Sequence, residues 1–139
     1  MSSEENKRLI RQFFEGVNAR DMTAFELFAP DAIHHNPFRG TPAGREGNKQ
    51  GMLLLFAAFP DWHTTIEDLI AEGDKVVVRM TQRGTHQGTI FGLAATGKQV
   101  SVAGIAIFRL RNSQIVEEWL ITDQLSVMQQ LGASEEGNQ

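Results

Sequence analysis

Three strand-type segments follow closely on one another between Val76 and Thr122, and they limit the possible folds more than any other feature of the chain. Val76 to Thr85 is rich in β-branched residues, and Val100 to Leu110 is a long apolar stretch. Ile115 to Thr122 follows Arg111-Asn112-Ser113, which reads as a hairpin turn, so this segment is expected to pair back onto the one before it. Upstream, Thr64, Thr65 and Ile66 lead into Leu69-Ile70, and Gly73-Asp74 supplies the turn before Val76. The expectation is a four-strand meander.

The first third of the chain has a different period. Leu9, Ile10, Phe13, Phe14 and Val17 recur at helical spacing behind a Ser2-x-x-Glu5 capping box, predicting a helix from about Ser3 to Ala19. Asp21 is placed to cap a short second helix carrying Phe25, Leu27 and Phe28 and ended by Pro30. Ala32 to Asn36 reads as a short strand closed by Pro37 and Gly40. A further helix is expected from Thr41-Pro42 or from about Arg45 through Phe59, with Pro60 ending it and Gly44, Gly47 and Gly51 weakening its first half. Leu125, Met128 and Leu131 share one face of a closing helix. Helices first and strands afterwards predict an α+β fold, with helices covering one face of a mostly antiparallel sheet. Residues 1–133 read as a single domain, and 134–139 as a disordered tail.

Composition narrows the function classes. A chain of 139 residues with 41% hydrophobic and 22% charged side chains is expected to bury a core comprising about two-thirds of its unfolded surface. The net charge of −4 comes from scattered residues, and no run of Lys or Arg forms a phosphate-binding stripe, which argues against nucleic acid as a partner. Without cysteine there is neither disulfide nor thiolate chemistry. The polar start lacks a signal peptide's apolar stretch, and the longest apolar run, Met52 to Phe59, is too short to span a bilayer. A cytoplasmic location with no membrane partner is the expectation.

Two phrases carry a resemblance. One is Gly84-Thr-His86-Gln-Gly88-Thr-Ile-Phe91-Gly92-Leu93 followed by Thr96-Gly97-Lys98, and the other is Ile115-Val-Glu117-Glu118-Trp119-Leu-Ile-Thr-Asp123. With the order of elements, they make the chain from about Glu5 to Leu131 resemble the SnoaL-like polyketide cyclases (ester cyclases) of the NTF2-like superfamily. The resemblance implies a cone built from a curved sheet and N-terminal helices around an apolar pocket. It further implies intramolecular aldol ring closure without metal or cofactor, and a homodimer formed through the exposed sheet face. In that family an aspartate at the end of the last strand is the acid/base, and Asp123 is its counterpart here. Histidines matching His34 or His35, and His86, line the pocket. Ala94-Ala95 stands where relatives often have proline, and the chain has no tyrosine.

Read without the family, alternate residues of a strand share a face, which groups Ile115, Glu117, Trp119, Ile121 and Asp123. Were that face to line the pocket, desolvation would make Asp123 a stronger base, suited to taking a proton next to a carbonyl. The alternative is that Asp123 is the N-cap of the closing helix. His34 and His35 face opposite sides, so only one lines the pocket, and His34 is favoured narrowly. A neutral His86 would stabilise an enolate oxygen. Arg79 either pairs with Asp123 or Glu117 in the pocket or lies on the open side of the sheet, the favoured reading. Asn48 either offers its amide to a carbonyl oxygen or sits on a solvated helix face. Phe13, Phe56, Trp62, Phe91 and Trp119 are expected walls, and the Gly88–Gly97 loop a lid or an ordinary hairpin loop. No His-x-His or His-x₃-His spacing supports a metal triad, so no metal and no cofactor are expected. The predicted partner is a hydrophobic keto substrate that cyclises or isomerises. An epoxide hydrolase or ketosteroid isomerase of the same fold, or a non-catalytic binding domain, are the alternatives.

Overall fold

The structure, a computed structural model, describes residues 2–37 and 40–132. The expected disordered tail lies outside the described residues. Helix α1 spans Ser3–Asn18, and Ser2 caps it by accepting a hydrogen bond from the Glu5 N–H at 3.1 Å. Its stripe of Ile10, Phe13, Phe14 and Val17 is buried, as the periodicity requires.

The next segment corrects the sequence reading. A 3₁₀ turn covers Met22–Leu27, capped by Asp21, and strand β1 already starts behind it, spanning Phe28–His35. Pro30, expected to stop a helix, instead lies inside β1. The strand tolerates it because β1 is at the sheet edge, where its register is irregular between Phe28 and Ile33.

Helix α2 spans Gly44–Ala58, the later of the two expected starts. Gly47 is required there, since a Cβ at this position would lie 1.5 Å from the Pro42 carbonyl oxygen. Strands β2 (His63–Glu72), β3 (Lys75–Thr85), β4 (Gln99–Arg111) and β5 (Gln114–Thr122) form the expected meander, and helix α3 covers Gln124–Gln130. Asn112 and Ser113, with φ of 52° and 63°, form the two-residue turn between β4 and β5, the left-handed pair that suits the twist of a hairpin.

The sheet order is β1-β5-β4-β3-β2, with β1 parallel to β5 and the other pairs antiparallel. The result is an α+β fold with a curved, unclosed mixed sheet. Its inner face carries two apolar clusters. In one, Phe13 meets Phe14, Phe25, Phe28 and Phe108 edge-on at centroid distances of 5.1 to 6.4 Å. The other joins Ala58, Phe59, Trp62, Val100, Val102, Val127 and Leu131. No helix among the described residues is long and apolar enough to cross a membrane.

Candidate active site

Between the two clusters lies a cavity of about 520 Å³, bounded by Phe13, Phe14 and Met80 of the first and Phe59, Trp62, Val102 and Val127 of the second. Burial on β4 alternates residue by residue, so Val102, Ala106 and Phe108 face inward and Ala103, Ile105 and Ile107 face the opposite side.

His34 lines the cavity. It is the Cα partner of Glu118 across the parallel β1–β5 ladder, and its Nδ1 lies 2.5 Å from the Glu118 Oε1. The contact has ion-pair distance. Both side chains are largely buried. Burial alone would depress the His34 pKa, but the contact with Glu118 and its negative charge outweigh that and raise it above the ordinary histidine value. The Asn48 amide, presented by α2, donates to the same Glu118 Oε1 at 3.4 Å, so a histidine, a carboxylate and an amide converge on one wall.

Glu118 and Gln82 escaped the sequence reading, although both are buried and line the cavity. For Glu118 the reason is a break in parity. The β4–β5 register shifts between the Arg109↔Glu117 and Leu110↔Ile115 pairs, and this bulge puts Ile115 and Glu118 both on the inner side. Glu117, Trp119 and Asp123 are thereby turned outward, against the expected grouping. The signal available in the sequence was the Glu117-Glu118 doublet itself, since one of two adjacent strand residues must face in.

Asp123 therefore corrects the expectation of a cavity-facing carboxylate. It is exposed, borders a groove on the outer sheet face, and accepts from the Ser126 N–H at 3.0 Å as the N-cap of α3. Trp119 stacks on His35 on that outer face, centroids 4.9 Å apart, and so is not a cavity wall. His35 bonds Glu117 at 2.8 Å through Nε2. Arg79 sits on the outer face, paired with Asp68 at 2.6 Å and pointing away from the cavity. Phe56, expected as a wall, does not line the cavity: it packs against the two apolar clusters and lies under the Arg20 guanidinium, which is 3.8 Å from its ring centroid. His86 is wholly buried beside the cavity rather than lining it. Its Nδ1 accepts from the Thr96 N–H at 3.2 Å and lies 2.9 Å from the Thr96 hydroxyl oxygen. Phe13, Asn48, Trp62 and Phe91 line the cavity, Asn48 on its inner side and not on a solvated helix face, and Phe91 from the loop between β3 and β4 with φ of 53°. Among the described residues, no cluster of His, Cys, Asp or Glu has metal-holding geometry.

The family model for SnoaL-like polyketide cyclases matches residues 7–131. Among solved structures, TsrD from Streptomyces laurentii is 30% identical, with 96% of this chain and 98% of that one covered and a TM-score of 0.87. IdmH from Streptomyces antibioticus, described as a candidate polyketide cyclase, is 34% identical over 91% of this chain and 98% of its own, with a TM-score of 0.81. AclR from Streptomyces galilaeus, described as a candidate hydroxylase, is 27% identical over 94% of this chain and 98% of its own, with a TM-score of 0.83. No curated protein matches the sequence.

Proposed function

This chain belongs to the SnoaL-like polyketide cyclase family, and on that premise we propose that its cavity takes a hydrophobic keto compound and removes a proton next to the carbonyl. The observation that carries this reading is the buried His34–Glu118 contact at 2.5 Å on the cavity wall. Glu118 engages Nδ1 and so leaves Nε2 as the nitrogen for chemistry, the arrangement in which a carboxylate fixes the working tautomer of an imidazole. His34 takes the α-proton, and the electron pair of the broken C–H bond moves into the carbonyl to give an enolate oxygen. The Asn48 amide, only loosely held by Glu118, is the donor for that oxygen. The enolate carbon then attacks a second carbonyl of the same molecule in an aldol ring closure. The new alkoxide recovers the proton from His34, and the enzyme ends unchanged.

IdmH is described as a candidate polyketide cyclase, which fits a keto substrate. A homodimer through the outer sheet face belongs to the same reading, supported by the exposure there of Ile105 and Ile121 beside Trp119. A cytoplasmic setting is proposed with it.

The test is exchange of α-protons for deuterium in 2-acetylnaphthalene, followed by NMR in D₂O. Wild-type protein is expected to accelerate exchange over buffer, and His34→Gln to lose about a hundredfold or more of that acceleration. Equal rates for the two proteins would remove His34 as the base.

A further inference from the structure

Trp62 is more than nine-tenths buried, lines the cavity, and has an indole Nε1–H that meets no hydrogen-bond acceptor among the described residues. A buried N–H left in this state costs about 1–3 kcal/mol, so its persistence calls for a partner. The ring cannot turn away to find one. Phe59 packs against it at 5.1 Å between centroids, and Gly84 passes so close that a Cβ there would lie 2.7 Å from the indole. The ring is therefore held in place before any ligand arrives.

Its position relative to the His34–Glu118 wall follows from the register. Glu118 pairs with Phe108 on β4, while the cavity-lining Gln82 of β3 pairs with Val102, six positions away along β4 (108 less 102). Trp62 belongs with Val102 in the second apolar cluster. At about 3.3 Å per residue along β4, this register separates the two polar groups along the length of the cavity. Gln82 is tied back by one of its two Nε2 hydrogens, donated to the Thr64 hydroxyl at 3.2 Å.

We propose that Trp62 Nε1–H is the specificity-determining donor of the cavity, selecting elongated neutral compounds with a second oxygen acceptor at the end far from the reacting carbonyl. Indole N–H only donates, so the matching group is a carbonyl, ether or hydroxyl oxygen. No Lys or Arg lines the cavity among the described residues, and a carboxylate buried without a cation would be costly, which selects a neutral oxygen. This rests on the reading of the cavity as a keto-compound site and extends it from the reacting end to the whole ligand.

The experiment compares 2,6-diacetylnaphthalene, with an oxygen at each end, against 2-acetylnaphthalene, with one. Affinities are measured by isothermal titration calorimetry for wild-type protein and Trp62→Phe, which keeps an aromatic wall and deletes the N–H. Wild-type protein is expected to prefer the diketone by about fivefold to tenfold, and in Trp62→Phe the ratio of the two affinities is expected to fall to about one. In ¹⁵N-labelled wild-type protein the Trp62 indole proton, one of two in the chain, is expected to move downfield with the diketone and not with the monoketone. Binding of both compounds with an unshifted indole and no preference would overturn the Trp62 assignment and leave the base intact. Failure of both compounds to bind would overturn the keto-site reading and the Trp62 donor with it.

Discussion

His34 and Glu118 are directly opposed on neighbouring parallel strands, and their side chains meet at 2.5 Å inside the cavity. Parallel pairing of β1 with β5 is what brings together two residues 84 positions apart in the chain (118 less 34). Neither is placed by a loop, so the contact inherits the rigidity of the ladder.

The raised His34 pKa sets a pH dependence of stability. The folded state holds this proton more tightly than the unfolded chain. The contribution is therefore fully present below about pH 6.5 and is lost as pH rises through the higher folded-state value. Urea unfolding across that window is expected to show stability falling with pH. Glu118→Gln removes what opposes the desolvation, so the slope should flatten and the His34 ring titration seen by NMR should move down. An unchanged titration would mean that Glu118 does not hold the proton on His34.

Gly47→Ala tests the close approach that seats α2 over Pro42. With a Cβ forced to within 1.5 Å of a carbonyl oxygen, the helix must shift, and a loss of about 2 kcal/mol or more is expected in chemical denaturation. The same shift displaces Asn48, the next residue, so binding of 2-acetylnaphthalene should weaken too. A variant as stable as wild type would contradict the tight seating.

Phe108 touches Phe13, Phe14 and Phe28 and has no exposed surface. Phe108→Ala is expected to cost about 3–5 kcal/mol, read from urea midpoints with the slope unchanged. A loss below about 1 kcal/mol would show that the aromatic cluster collapses around the gap.

Ile121→Asp probes the outer sheet face, where Ile121 is 70% exposed. Sedimentation velocity is expected to show a dimer for wild type and a monomer for the variant. A monomeric wild type would dispose of the proposed dimer.

Much of the fold was legible because periodicity survives local accidents. The α1 stripe, the meander of β2 to β5, and the Asn112-Ser113 turn each follow from residues within a few positions of one another. The misread parts turned on pairing between distant segments. Pro30 looked like a helix stop because nothing nearby reveals that its strand takes a sheet edge, where a missing N–H is harmless. The bulge after Ile115 had a larger consequence. One extra residue moved Glu118 inward and Glu117, Trp119 and Asp123 outward, and strict alternation from Ile115 therefore named the wrong carboxylate for the cavity. His34 against His35 was a question of parity alone, and the β1–β5 register puts His34 on the inner side.

The most direct measurement sets the two carboxylates against each other in the same deuterium-exchange assay on 2-acetylnaphthalene. With Glu118 orienting the base and Asp123 capping α3, Glu118→Gln is expected to lower the exchange rate about a hundredfold, and Asp123→Asn, which still caps, to leave it within about twofold of wild type. Loss of exchange in Asp123→Asn with full activity in Glu118→Gln would contradict the account.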